Sequence, residues 1–134
     1  MTYPVKILGV GADVADRLRQ AGIRTTTSLI DAAKGPKERK RLAGLTGFDE
    51  KRILGWANSA DRMRIKGIGA DYSSLLQASG VKTVKDLRAR SPAKLAARMA
   101  EVNAKRKLAR VLPSDRAVER WVDHAKKLQL KIHY

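Results

Sequence analysis

The sequence predicts an all-α protein made of two copies of one small helical unit, and three observations carry that expectation. Apolar residues recur at spacings of three and four, as in Val14, Leu18, Ala21 and in Val118, Trp121, Val122, Ala125, Leu128, where a strand would need a period of two. The segment Gly9-Val10-Gly11-Ala12-Asp13 returns 58 residues later as Gly67-Ile68-Gly69-Ala70-Asp71. Trp, Tyr and Phe number only 2, 3 and 1, so the core is aliphatic.

The same offset aligns Leu18 with Leu76, Gly22 with Gly80, Ile23 with Val81, Thr25 with Thr83 and Leu29 with Leu87, without a gap. A length change follows, and the register returns when Trp56-Ala57-Asn58-Ser59-Ala60 is laid over Trp121-Val122-Asp123-His124-Ala125, now 65 residues apart. Unit one is read as residues 5–63 and unit two as 64–128, with 129–134 as a short tail. Gly22 and Gly80 suit left-handed residues that close a helix, and Gly35-Pro36 and Ser91-Pro92 read as an N-cap followed by proline at the first helical position. Thr83 with Asp86 three residues on resembles a capping box, and Ser114 caps the last helix just after Pro113. Trp56 and Trp121 take matched places in an apolar pattern and read as core packing between the units. Tyr72 aligns with Val14 and also reads as core.

The charge is strongly one-sided. Lys and Arg total 29 against 13 Asp and Glu in 134 residues, for a net charge of +16 that an anionic partner would relieve. Both halves share it: residues 1–65 hold 13 basic and 7 acidic side chains, and residues 66–134 hold 16 and 6. With 43% hydrophobic residues the chain is expected to fold. It has no cysteine and two histidines, which excludes disulfides, thiolate zinc sites and iron–sulfur clusters, and no cofactor is expected. No run approaches the ~20 apolar residues of a membrane span and no cationic leader precedes an apolar stretch, so the expected location is cytoplasmic, at the nucleoid if DNA is bound.

A Gly-apolar-Gly step between short helices lets another backbone approach while its middle residue, Val10 or Ile68, anchors the turn. It also leaves the first amides of the next helix unpaired, a natural seat for a phosphate oxygen. The segments Ile65-Lys66-Gly67-Ile68-Gly69, Leu75-Leu76 and Ser79-Gly80-Val81-Lys82-Thr83-Val84-Lys85-Asp86-Leu87 resemble the helix-hairpin-helix motif of repair, recombination and transcription proteins. The whole chain is similar to an uncharacterised bacterial family of tandem helix-hairpin-helix domains, a domain of unknown function. The resemblance implies two tandem helix-hairpin-helix-type units packed as a pseudo-twofold pair. It further implies non-specific contact with duplex DNA across the minor groove, through hairpin amides and neighbouring cations.

Carried over by position, the hairpin residues are Gly9, Val10, Gly11 and Gly67, Ile68, Gly69. Lys66 lies within the second hairpin with Arg62 and Arg64 just before it, while Leu8 takes the place of Lys66 in the first. Arg24 and Lys82 follow the helix-ending glycines. Asp13 and Asp71 depart from the pattern, since a carboxylate in the first helical turn competes with phosphate and favours the helix by roughly 0.3–1 kcal/mol. Two basic runs, Lys37-Glu38-Arg39-Lys40-Arg41 and Lys105-Arg106-Lys107 with Arg110, stand mid-unit. Catalysis finds no support: there is no nucleophile–base arrangement, carboxylate cluster or phosphate loop. Sequence-independent DNA binding is therefore the expected function, and a protein adaptor that docks an acidic partner is the rival.

Overall fold

The computed structural model describes residues 2–134. They are all-helical, with only an isolated bridge between Pro4 and Thr25 in extended pairing. The chain divides into two units, the first running to Asp61 and taking in Leu130–Tyr134, the second formed by Arg62–Gln129. No helix among the described residues is long and apolar enough to cross a membrane.

In the first unit a 3₁₀ turn, Val5–Leu8, leads into α1 (Ala12–Gln20), α2 (Thr26–Ala32), α3 (Pro36–Thr46) and α4 (Glu50–Arg62). One apolar cluster joins all of them through Val5, Leu18, Leu29, Leu42, Ile53 and Ala57. Two backbone bonds, Val5 N to Arg24 O at 3.1 Å and Thr26 N to Tyr3 O at 2.8 Å, tie the first strand-like residues to the start of α2. Leu130–Tyr134, expected as a tail, contribute here: Ile132 enters the same core, His133 N donates to Lys34 O, and Tyr134 Oη donates to Asn58 Oδ1 at 2.7 Å. Trp56 lies half-buried, edge-on to Phe48 at 5.1 Å, with the Arg52 guanidinium over its ring.

The second unit contains α5 (Ala70–Ala78), α6 (Val84–Arg88), α7 (Pro92–Arg106) and α8 (Asp115–Lys127). The last helix packs on α6 and α7, and α5 packs on α7. Ile68, Leu75, Leu76, Leu87, Leu95 and Met99 are fully buried. Arg88 fastens the end of α8, donating from Nε to Ala125 O at 2.7 Å and from Nη2 to Leu128 O, where the last carbonyls have no partner of their own.

The repeat holds down to single hydrogen bonds. At the close of α1, Gly22 N donates to Arg19 O and Ile23 N to Leu18 O; at the close of α5, Gly80 N donates to Gln77 O and Val81 N to Leu76 O. Gly22 and Gly80 have φ of 87° and 96°, the left-handed geometry expected of them. Thr25 and Thr83 then cap α2 and α6, each accepting from the residue three on while that residue's side chain, Ser28 or Asp86, accepts from the threonine amide. Gly35-Pro36 and Ser91-Pro92 open α3 and α7, and Ser114 accepts from Ala117 N to cap α8.

Candidate nucleic-acid interface

The second Gly-apolar-Gly turn is built from the core outward. Ile68 is fully buried and its amide donates to Ile65 O at 3.1 Å, so the turn cannot slide without moving an apolar anchor. Gly67 is exposed at a φ of 94°, and a Cβ there would stand 3.1 Å from Trp121 Nε1. The backbone angle therefore demands glycine, and a side chain there would also crowd the Trp121 ring. Lys66 N donates to His124 Nδ1 at 3.3 Å, which fastens the turn to α8 and leaves the lysine side chain at the surface.

Gly69 is the N-cap of α5 and no side-chain hydrogen bond caps that helix, so its first amides are left without a capping partner. Its φ of −97° is one any residue adopts, and a Cβ would meet nothing within 4 Å. Opposite lies the loop that follows α7. Asn103 clamps that loop at Ala109 in two directions, donating from Nδ2 to Ala109 O at 3.0 Å and accepting at Oδ1 from Ala109 N at 2.9 Å. Arg110 is thereby set against Gly67, Gly69, Ala70 and Asp71 across a hollow of about 430 Å³. Some forty residues of sequence separate these groups, and the fold brings them together.

Lys105, Arg106 and Lys107 are all exposed at the C-terminal end of α7, just before that loop. Lys82 is exposed beside the start of α6, its amide donating to Asp86 Oδ2 at 3.1 Å. Arg64 is half-buried and donates from Nη2 to Gln129 O at 2.9 Å, so it braces the end of α8. Asp71 is exposed in the first turn of α5, within the same hollow as Arg110.

Two expectations need correcting. Arg62 is only 2% exposed; its Nε donates to Ser73 Oγ at 3.0 Å and its Nη1 to Lys82 O at 2.8 Å. No phosphate reaches it, because its charge-assisted bonds have replaced water inside the unit. Arg39, counted in the first basic run, is likewise buried at 5% and donates to Ala33 O at 3.0 Å, while Lys37, Lys40 and Arg41 remain exposed.

The first turn has a different character. Gly9 and Gly11 both take positive φ, 67° and 84°, whereas Gly69 does not. Val10 is half-buried against the first unit's core, as is Leu8 in the place of Lys66, so apolar contact replaces the cation there. Gly11 also opens its helix without a side-chain cap, and Arg24 is exposed beyond it.

Sequence reasoning missed Asn103, Tyr72 and the pair Val111-Leu112. Tyr72 is not a plain core residue: it is half-buried, tilted against Trp121 at 5.2 Å, and its hydroxyl donates to Val111 O at 2.9 Å. The missed signal was chemical, since a phenol aligned with Val14 carries a hydroxyl that needs a partner. No curated protein and no solved structure matches the chain. The model of one family, described as a domain of unknown function (DUF4332), matches residues 8–128, and the chain belongs to that family.

Proposed function

We propose that the protein binds duplex DNA without sequence preference, through the second unit. The observation that carries this reading is Arg110 set across a hollow from the Gly67–Gly69 turn, which bears the exposed Lys66 and opens a helix on an uncapped glycine; the exposed Lys105–Lys107 cluster ends the helix just before Arg110 in the chain. The second unit carries 17 Lys and Arg against 6 Asp and Glu, a net charge of 17 − 6 = +11, so its field draws a polyanion from a distance. The similarity of Ile65–Gly69 and Ser79–Leu87 to helix-hairpin-helix segments supports the same partner. On this reading the α5 amides donate to a phosphate oxygen, Lys66 and Arg110 neutralise its neighbours, and the exposed Lys82 and Lys105–Lys107 meet further phosphates. No base edge is read. The first turn, Gly9–Gly11, serves chiefly to set the helix angle, with Arg24 as its nearby exposed cation. The cytoplasm or nucleoid is the location this function implies.

Fluorescence anisotropy with labelled duplex, single-stranded and branched DNA and with duplex RNA, over a series of salt concentrations, tests the reading. Duplex binding should weaken by roughly 0.9 log units per log unit of salt for each phosphate contact. Gly69→Val is the sharpest variant, because the backbone accommodates it and the new side chain projects into the space a phosphate would occupy. It should weaken duplex binding about tenfold, roughly 1.4 kcal/mol, with helicity by circular dichroism unchanged. Unaltered affinity would remove the turn from the mechanism.

A further inference from the structure

We infer that a second groove of the same unit docks an acidic, amphipathic segment of a partner protein. The groove encloses about 930 Å³ beside the Lys66-Gly67 turn, and Tyr72, Val111, Leu112, Pro113, Ala117 and Trp121 make its apolar surface. Val111 and Leu112 are 68% and 45% exposed, two adjacent large aliphatic side chains left in water. They are held there. The Asn103 clamp on Ala109, the Tyr72 hydroxyl on Val111 O and the Ser114 cap on Ala117 N fix the loop on both sides, so the side chains cannot fold away. A fixed, exposed apolar surface with a polar rim is the signature of an interaction site.

The rim selects the occupant. Lys66, Arg120 and Lys127 border the groove as exposed cations, with Asp123 the opposing charge and His124 engaged by the Lys66 amide. A segment with aliphatic or aromatic anchors on one face and Asp or Glu on its flanks complements both features. Its anchors would follow the i, i+3, i+4 spacing of a helix laid in a groove. A second copy of this chain does not fit, because a net charge of +16 repels itself. A DNA backbone does not fit either, since phosphodiesters offer no apolar surface to cover Val111 and Leu112. The inference goes beyond DNA binding: the groove adjoins the hollow beside Gly69 and shares Gly67, Tyr72 and Val111 with it, while Leu112, Arg120 and Lys127 belong to the groove alone.

The test is titration of the full chain with a synthetic peptide of about twelve residues, Leu and Phe at helical anchor positions and Glu elsewhere. A scrambled peptide of the same composition and a version with Lys for Glu serve as comparisons, and the Trp121 indole N–H resonance is the readout. Saturable shifts with the acidic amphipathic peptide alone are expected, weakened about tenfold, roughly 1.4 kcal/mol, by Val111→Ser with Leu112→Ser. Duplex-DNA affinity of Leu112→Ser alone, which lies outside the hollow beside Gly69, should be unchanged while its peptide binding weakens. Arg120→Glu with Lys127→Glu should weaken the peptide independently. Equal binding of the scrambled or Lys peptide, or peptide binding indifferent to both variants, overturns the proposal. Loss of DNA binding by Gly69→Val with peptide binding intact supports two separable sites, and peptide binding in a chain that never binds duplex removes only the DNA reading.

Discussion

Lys107 ends α7 in the left-handed region, with φ of 50° and ψ of 45°, the one non-glycine residue described at positive φ. A side chain there costs roughly 1 kcal/mol, and most helices that stop this way use glycine. Lys107→Gly should raise stability by about 0.5 kcal/mol in urea denaturation, because relief of the backbone exceeds the entropy glycine adds to the unfolded chain. A lower midpoint would mean that the lysine side chain makes up the difference by packing. Arg62 is the opposite case, a cation whose value lies inside the fold. Arg62→Ala removes the donors to Ser73 Oγ and Lys82 O and empties a buried volume, so stability should drop by about 2–4 kcal/mol. The salt dependence of DNA binding should stay as it was; a shallower slope would show that Arg62 reaches phosphate after all.

Among the elements, the caps were legible because their chemistry is local. Thr83 with Asp86, Ser114 with Ala117 and the left-handed Gly22 and Gly80 all act within a few residues, where side-chain type and spacing suffice. The Thr25–Ser28 box was written in the same repeat, though serine stands where the usual template has Glu or Gln. The loop after α7 was not legible, since its shape rests on Asn103 gripping Ala109 and on Tyr72 reaching Val111, 39 residues away. Asn103→Ala should therefore free that loop while leaving the helices in place. Hydrogen exchange at the Ala109 amide should speed up by about tenfold or more, with Leu75 and Leu87 amides unaffected. Unchanged protection at Ala109 would assign the loop's shape to Tyr72 instead.

For the whole molecule, the charge imbalance acts on stability as well as on partners. The exposed ion pairs Arg19–Asp16 and Arg98–Glu101, both three residues apart on a helix, offset little of the +16 repulsion. Raising salt from about 0.01 M to about 0.15 M shortens the screening length from roughly 30 Å to roughly 8 Å and should raise the melting temperature. A melting temperature that falls or stays level would show that favourable pairs balance the repulsion.

The sequence by itself determined the helical class, the doubled unit, the helix-closing glycines and the caps, because periodicity and capping depend on neighbours in the chain. It also determined the charge, which is a sum over residues and needs no fold. Only the tertiary structure decided which cations face water: Arg62 and Arg39 read like their neighbours, yet partners 20 and 6 residues away draw them inside. It alone set Arg110 against the Gly67–Gly69 turn and exposed Val111-Leu112 beside Trp121, since burial is settled by whatever elements meet across the core.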